Sequence, residues 1–383
     1  MPRFPHTAEE MREVRASVFS RLAHRLASCS GEIYPFHVGD TYLDPAEGCR
    51  MEDLATADWP GLHRYAAPRG MPALLEALAA RATVRHKVPT AVEDVLVSAG
   101  ATGGIGAILG AILSPGDEVL ILAPFWPLID GIVRTFRGTP VAVPFLGVAE
   151  SPESAVEIVE RARTARTVAL YVSTPNNPTG RVIPPTWLGA LARWAELRGL
   201  WILSDEVYED YVYRGEHAYL RSLAPERTFS AHSFSKAWGM AGNRCGYVVG
   251  PAAVMEALGK VVVHTFYSTP TASQAAALRA LDGRGDAWAA SARECYRPVG
   301  AAAARRLGIA EPEGSQFLWL DVAPALGEGG LERFLERCAD RGLAAAPGPS
   351  FGPYPTHVRL CYTAAPPEAT ARGFERLAAI LGR

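Results

Sequence analysis

Short apolar strands alternate with helical segments between residues 95 and 233, and this alternation constrains the fold more than any other feature of the sequence. Strands that are joined by helices pair in parallel, and a parallel sheet needs helices on both faces to bury it. The pattern therefore predicts an α/β fold with a mostly parallel sheet covered by helices. The predicted strands are 95–98, 118–123, 168–172, 200–205 and 228–233.

The pattern changes from about residue 273. A long Ala-rich helical region at about 271–307 leads to strands at 317–321 and 357–361, with helices predicted at 331–341 and 368–381. Near the start, apolar residues at helical spacing predict an amphipathic helix over 7–27. We therefore expect a large domain at 46–275, and a smaller α+β domain made from residues 1–45 and 276–383.

Composition excludes several classes of protein. With 383 residues, 49% of them hydrophobic, the chain is long enough for two domains and a large core. A net charge of −2 gives no electrostatic reason to expect binding to nucleic acid or to an anionic membrane. The uncharged run at 95–116 contains many glycines and ends in Ser-Pro-Gly, which indicates a strand, loop and helix rather than a membrane span.

The six cysteines form no C-x-x-C pair, so the sequence predicts neither a zinc site nor a redox dithiol. They are typical of reduced thiols in a cytosolic protein. The start of the chain carries charges and no apolar leader. We expect a cytoplasmic protein without a bound metal.

The segment at 231–247, AHSFSKAWGMAGNRCGY, carries the strongest chemical signal. Lys236 is one of only three lysines among the 38 basic residues, and it lies in an apolar, Gly-rich setting. A lysine of this kind can form a Schiff base with an aldehyde cofactor. Ser233, Ser235 and Arg244 offer the hydroxyl and guanidinium donors that a phosphate group requires.

The spacing S-x-S-K-x-x-G-x-x-G-x-R-x-G-Y resembles the cofactor-lysine signature of the class I/II aminotransferases. These are pyridoxal 5′-phosphate (PLP) enzymes of the aspartate aminotransferase fold, fold type I, with a sheet of the seven-stranded type. The resemblance implies that Lys236 holds PLP as a Schiff base and acts as the catalytic acid and base. It also implies that Ser233, Ser235 and Arg244 bind the phosphate.

Two further motifs follow predicted strands, where sheets of this kind bind ligands. NNPTG resembles the family's N-P-T-G motif, which implies that Asn177 donates to the phenolic oxygen of the cofactor and contacts substrate. D-E-x-Y resembles the family motif whose aspartate, here Asp205, keeps the pyridine nitrogen protonated. Tyr208 would then hydrogen-bond the ring oxygen, and we count Asp205 and Tyr208 as catalytic residues beside Lys236.

The glycine-rich segment GATGGIG at 100–106 is predicted to be a loop that opens a helix, where free N–H groups favour a phosphate. The resemblance implies that Ala101 and Thr102 bind it. The same glycines superficially resemble a dinucleotide fingerprint, but no lysine has the tyrosine four residues earlier that short-chain dehydrogenases need. The family also places an aromatic residue over the pyridine ring, which implies Trp126, with Phe125 as the alternative.

Three residues are assigned mainly through the resemblance. Gly39 follows a short predicted strand at 36–40 and would expose its backbone to the substrate carboxylate. Arg359 would grip the same carboxylate as a two-pronged pair. Tyr65 would reach the phosphate in the neighbouring subunit, which implies a homodimer.

The predicted function is transfer of an amino group from an L-amino acid to a 2-oxo acid, with ping-pong kinetics. A β-lyase, a racemase or a cyclising synthase could use the same residues, and a non-catalytic PLP-binding regulator is a further alternative. Some relatives pair an acidic substrate with a lysine where this chain has Thr102, which disfavours that route to an acidic substrate. Trp126, Tyr65 and Phe36 suggest an aromatic or apolar pocket instead.

Overall fold

The computed structural model describes residues 4, 6, 8, 10–14, 24–29 and 31–383. Its main element is a seven-stranded sheet with the strand order β1-β7-β6-β5-β4-β2-β3. The strands are β1 (Val95–Ser98), β2 (Glu118–Ala123), β3 (Thr139–Pro144), β4 (Thr167–Ser173), β5 (Trp201–Asp205), β6 (Thr228–Ser233) and β7 (Gly246–Val249). The predicted α/β class with a mostly parallel sheet is confirmed.

Strand β7 is the antiparallel member of this sheet and lies between β1 and β6. The other neighbouring pairs, from β6 across to β3, are parallel. A parallel return needs a crossover of a dozen or more residues that usually includes a full helix, and the short segment after β6 contains only one turn of α-helix and one turn of 3₁₀ helix. The chain therefore turns straight back, which pairs Ser233 with Gly246.

Helices cover both faces of the sheet and also form much of the rest of the chain. They are α1 (Glu10–Glu13), α2 (Pro72–His86), α3 (Gly100–Ile112), α4 (Leu128–Thr135), α5 (Pro152–Ala162), α6 (Pro185–Arg198), α7 (Leu220–Leu223), α8 (Phe234–Ala237), α9 (Ala252–Thr265), α10 (Thr271–Ala280), α11 (Arg284–Leu307), α12 (Gly330–Ala339) and α13 (Pro367–Ile380). Residues 24–27 are helical as well.

The central strands are buried on both faces of the sheet, which explains why they are continuous apolar runs in the sequence. All six residues of β2 are buried, and they alternate between two hydrophobic clusters. Val119 and Ile121 pack on one face of the sheet, whereas Leu120 and Leu122 pack on the other. A strand that is covered on both faces has no polar side to alternate with, as the sequence indicated.

A second, antiparallel sheet has the order β8-β10-β9, with β8 (Phe317–Asp321), β9 (Ala346–Pro347) and β10 (His357–Cys361). Its core includes buried side chains of α11, α12 and α13, together with Tyr34 and Phe36 from the N-terminal part. The C-terminal strands and helices thus share a core with residues before 45, and Tyr208 and Tyr211 belong to the same core.

Several local predictions were wrong. Residues 36–40 do not form a strand, because the chain turns at Pro35, whose carbonyl accepts from Val38 N at 3.1 Å. Phe36 is buried against Phe374, with ring centroids 4.5 Å apart, so it is not available to a substrate pocket.

Other boundaries also shifted. The Ala-rich region at 271–307 divides into α10 and α11, separated by a turn that contains Gly283 with φ of 103°. The helix expected over 7–27 is helical at 10–13 and 24–27, and the remainder of that prediction lies outside the described residues. The run at 95–116 holds β1 and α3, and none of the described helices is long and apolar enough to cross a membrane.

Candidate active site

A cavity of about 150 Å³ lies at the carboxyl ends of the parallel strands. All the predicted cofactor residues except Tyr65 line it, together with three residues that sequence reasoning missed. The lining residues are Ala101, Thr102, Ile105, Trp126, Asn177, Asp205, Val207, Tyr208, Ser233, Ser235, Lys236, Ala241 and Arg244. They come from segments far apart in the sequence, and the sheet brings them together at one edge.

Lys236 lies in α8, the single helical turn that follows β6. Ser233 caps this turn by accepting a hydrogen bond from Ser235 N at 3.0 Å. The Nζ of Lys236 donates to the carbonyl of Gly39, which brings the predicted substrate-binding glycine to the amine. Burial lowers the pKa of Lys236, so a larger share of the amine is neutral and able to act as nucleophile or base.

Asp205 ends β5, and its carboxylate is 4% exposed. It accepts hydrogen bonds from the hydroxyl of Tyr171 at 2.5 Å and from Val207 N at 3.4 Å. Burial raises the pKa of Asp205 to about 6. No cationic side chain among the described residues forms an ion pair with it, so the cavity contains a buried carboxylate that a bound cation would stabilise.

Tyr208 follows Asp205 by three residues and is also buried in the cavity wall. Burial raises the pKa of its hydroxyl, so this group stays protonated and can donate a hydrogen bond. Its ring packs edge-on against Phe317, with centroids 5.6 Å apart, and this contact fixes the ring orientation.

Another part of the cavity, at the start of α3, is suited to binding an anion. Helix α3 begins at Gly100, inside the segment that was predicted to be a loop, and Ala99 offers it no side-chain cap. Gly100 has φ of 71°, and a Cβ there would lie 2.6 Å from Nη2 of Arg244. Arg244 donates to the carbonyl of Ala241 at 2.9 Å. Uncapped helix N–H groups beside a guanidinium are suited to a phosphate.

The two aromatic candidates after β2 lie in different surroundings. Trp126 lines the cavity. Phe125 is buried in the core, and its N–H donates to the carbonyl of Phe351 at 3.1 Å, which favours Trp126 as the residue that faces a ligand. Val207 is one of the missed residues, and its position between Asp205 and Tyr208 in the D-E-V-Y motif was the available signal. Ile105 and Ala241 carry no comparable signal.

Arg359 lies on β10 and is 7% exposed. Its Nη1 donates to Oδ1 of Asn177 at 3.1 Å, and its Nη2 donates to the carbonyl of His37 at 2.5 Å. The Nε atom is buried without a hydrogen-bond partner, and burial lowers the pKa of the group. No carboxylate in the described part of the chain neutralises this guanidinium, which makes it a candidate anion site.

Tyr65 lies away from the cavity and is 85% exposed. Its ring stacks edge-on against Tyr267, with centroids 4.9 Å apart. One chain therefore does not bring Tyr65 to its own site, and its role in a neighbouring subunit stays a prediction.

An open, mostly parallel sheet with a lined cavity at its carboxyl edge is the arrangement in which α/β enzymes bind small-molecule ligands. Comparison with family models shows which of these enzymes the chain resembles. The chain belongs to the family Aminotransferase class I and II, whose model matches residues 36–377. This family depends on PLP.

Relatives and solved structures agree with the family. The chain is 37% identical over 333 residues to an aspartate/prephenate aminotransferase of Thermus thermophilus, with 84% of each chain covered. It is 33% identical over 344 residues to an arginine–pyruvate transaminase of Pseudomonas aeruginosa, covering 86% of this chain and 85% of the other. The structure of the Thermus thermophilus aspartate aminotransferase with maleate has a TM-score of 0.88 at 32% identity, covering 98% of this chain and 99% of that one.

The predicted family, fold and enzyme class are thus confirmed. The chain is an enzyme that transfers amino groups between amino acids and oxo acids. The relatives are named as aminotransferases or transaminases, which favours this function over the lyase, cyclase and regulator alternatives.

Proposed function

We propose that this chain binds PLP through Lys236 and moves an amino group from an L-amino acid to a 2-oxo acid by a ping-pong mechanism. The observation that carries the proposal is one small cavity holding a buried amine and a buried carboxylate without a cationic partner among the described residues. These are the two groups that the family chemistry requires at opposite ends of the pyridine ring.

The residues fit the cofactor at each of its polar groups. The uncapped start of α3, with Thr102, Ser235 and Arg244, offers donors for the phosphate. Gly100 leaves room there, since a Cβ would collide with the arginine. Asn177 and Tyr208 line the same cavity and supply donors for the phenolic oxygen.

When bound, PLP supplies an electron sink that stabilises negative charge at the substrate Cα. The chain's own residues make that chemistry possible. The Asp205 carboxylate would hold the ring nitrogen protonated, and Trp126 and Val207 would be apolar walls for the ring. Once the substrate amino group has replaced Lys236 on the cofactor, the freed Nζ of Lys236 would remove the proton from the substrate Cα, and it would return a proton to that carbon in the second half of the reaction.

Arg359 and Gly39 are proposed to hold the substrate α-carboxylate. The buried Nε of Arg359 has no partner in the described structure, and its two other nitrogens are fixed by Asn177 and His37. A fixed guanidinium of this kind binds a carboxylate with little loss of side-chain freedom. The side-chain specificity stays open, because the relatives include enzymes named for aspartate or prephenate and for arginine.

The domain boundaries, the dimer and the location are also proposals. We propose a large domain at 46–275 and a small domain at 1–45 and 276–383, supported by the two separate sheets. We propose a homodimer in which Tyr65 enters the partner's site, supported by its exposure in the single chain. The six free cysteines support a reducing, cytoplasmic location.

A single-turnover experiment tests the proposed reaction. The cofactor-loaded enzyme is mixed with one amino acid at a time from a panel of acidic, basic, aromatic and aliphatic donors, without an oxo acid. We expect each accepted donor to yield one equivalent of its 2-oxo acid per site and no ammonia. Continuous release of ammonia without an acceptor would instead identify a lyase.

A further inference from the structure

A buried cluster of three histidines and one glutamate lies next to the cavity but does not line it. We call His86, Glu206, His217 and His232 the His–Glu cluster. Glu206 directly follows Asp205, and His232 lies on β6. His86 is the last residue of α2, and His217 lies between β5 and α7. The cluster therefore joins four separate segments of the chain.

The two oxygens of Glu206 have different surroundings. Oε1 accepts hydrogen bonds from the hydroxyls of Ser204 at 2.6 Å and Ser230 at 3.3 Å. Oε2 is buried in a residue that is 0% exposed, and it has no hydrogen-bond partner among the described residues. An unpaired carboxylate oxygen in the interior costs free energy, and no described donor lies within hydrogen-bond distance of this one. A bound cation would offset that cost.

Three imidazole nitrogens surround that oxygen. Nε2 of His217 lies 3.7 Å from Oε2 of Glu206, and Nε2 of both His86 and His232 lies 4.0 Å from it. These separations are too long for hydrogen bonds. In the part of the chain that the structure describes, the ring nitrogens of His217 and Nε2 of His232 are likewise buried without a hydrogen-bond partner.

His232 also presents an acceptor to this region, because its tautomer leaves a lone pair on Nε2 near Oε2 of Glu206. Its Nδ1 lies 3.0 Å from Oε1 of Glu209, and because a carboxylate only accepts, the ring must donate from Nδ1. Nε2 then carries a lone pair unless the ring is doubly protonated. Glu209 is itself held by Arg85 at 2.9 Å and by the hydroxyl of Tyr219 at 2.7 Å. A carboxylate that fixes the far side of a histidine ring is a common support for a metal-bound imidazole.

The distances suit one bridging ion. Zinc bonds to nitrogen and oxygen are about 2.0–2.2 Å, so two atoms that bind the same ion lie at most about 4.4 Å apart, and the three nitrogen–Oε2 separations of 3.7–4.0 Å are within that limit. One ligand atom each from His86, Glu206 and His232 can be chosen so that all lie within 4.8 Å of one another, and the rings would move closer by a few tenths of an ångström when the ion binds.

We propose that the His–Glu cluster binds one divalent transition-metal ion of the zinc type, with His86, Glu206 and His232 as ligands; His217, which lies 3.7 Å from Glu206 but outside that group of three, would complete the set by a movement of its ring. Four protein ligands in a closed, buried site are typical of structural rather than catalytic zinc. The ion would tie α2, β5 and β6 together behind the cofactor cavity. The expectation of no metal rested on cysteine spacing alone, and ligands at 86, 206, 217 and 232 form no recognisable sequence motif.

The test uses the full-length, PLP-loaded enzyme with Zn²⁺ as the probe. The protein is treated with a chelator, dialysed, and titrated with Zn²⁺ while metal content and Tm are measured. We expect one tightly bound equivalent per chain and a Tm that rises with Zn²⁺ concentration. Glu206→Gln and His217→Gln should lose both effects. Ser204→Ala, which removes a support of Glu206, should weaken binding roughly 10–100-fold.

His264→Gln is the matched control, because His264 is exposed on α9 and distant in sequence from the cluster. It should bind Zn²⁺ as the unmodified enzyme does. Circular dichroism of each variant checks folding, and glutamine keeps a polar side chain of similar size at His217, whose side chain is 6% exposed. The proposal is overturned if the folded, unmodified enzyme binds no Zn²⁺, or if Glu206→Gln and His217→Gln bind it as tightly as the control.

Discussion

At the scale of single residues, the site depends on placing charged groups where water does not reach them. The Lys236 amine and the Asp205 carboxylate are both moved by burial toward their neutral forms, in opposite pKa directions. For Lys236 the lowered pKa leaves a larger share of the amine neutral, so that it can accept a proton. For Asp205 it produces a carboxylate that a protonated ring nitrogen would stabilise, at a cost to the stability of the cofactor-free chain.

That cost yields a prediction for Asp205→Asn. The pKa of Asp205 rises from 3.8 to about 6 on folding, so the folded chain binds more protons than the unfolded chain between these values. Stability is therefore lost as pH rises through this window, by up to about 3 kcal/mol at about 1.4 kcal/mol per pKa unit. The cofactor-free Asp205→Asn chain should be more stable than the unmodified one at pH 8 and lose that advantage below about pH 4.

Urea unfolding at several pH values measures this difference. The same variant should lose activity by roughly 100-fold or more, equivalent to about 2.7 kcal/mol of transition-state stabilisation. Equal stability of the two chains at pH 8 would mean that the carboxylate is not destabilised by burial.

At the scale of elements, the phosphate end depends on how α3 begins. Gly100 combines a positive φ of 71° with a close approach to Arg244. Gly100→Ala should force the backbone or the arginine to move, at a cost of about 1–3 kcal/mol, and should weaken PLP binding. Chemical denaturation and cofactor titration measure the two effects.

Gly106→Ala is the control for this change. Gly106 lies in the same helix, and a Cβ there would meet Phe136 at an ordinary contact distance of 3.6 Å. Alanine at this position should leave cofactor affinity unchanged and stabilise the helix by up to about 1 kcal/mol. If both variants bind PLP with equal affinity, the start of α3 is not part of the phosphate site.

Elements with a strong local pattern were the ones that the sequence predicted well. The buried central strands and most helices matched within a few residues, because continuous apolar runs and helical periodicity survive in any context. β3 was missed since it carries two prolines and has mostly exposed or half-exposed residues. β7 was missed because its four residues adjoin the Gly-rich segment of Lys236. Tertiary packing, not local propensity, specifies both strands.

At the scale of the whole molecule, the cavity was predictable because its residues follow the ends of strands that one sheet must align. Lys236, Asp205, Asn177 and Trp126 meet for that reason. The His–Glu cluster was not predictable, since its members are joined only by the packing of four segments. The exposed position of Tyr65 likewise could not be derived from its local sequence.

Tyr65 provides a prediction about assembly. If each site takes its tyrosine from the partner subunit, Tyr65→Phe should weaken PLP binding, and Lys236→Ala should remove covalent binding. A mixed dimer of the two variants has one site with both residues intact. Mixing the inactive Lys236→Ala chain with Tyr65→Phe should therefore restore high-affinity cofactor binding and activity to some sites.

Light scattering establishes the oligomeric state, and mass spectrometry of the intact dimers detects the mixed species that subunit exchange produces. A monomer in solution, or a mixture whose cofactor affinity equals the average of the two variants, would contradict the shared site.

The central claim is that Lys236 is the residue that binds PLP covalently. Reduction of the cofactor-loaded enzyme with borohydride, followed by proteolysis and mass spectrometry, locates the attached pyridoxyl group directly. Lys87 and Lys260 are the internal controls, and Lys260 is exposed in an ion pair with Glu256 at 2.9 Å. We predict one label per chain, on the peptide that contains Lys236. A label on either other lysine, or no label at all, would contradict the account.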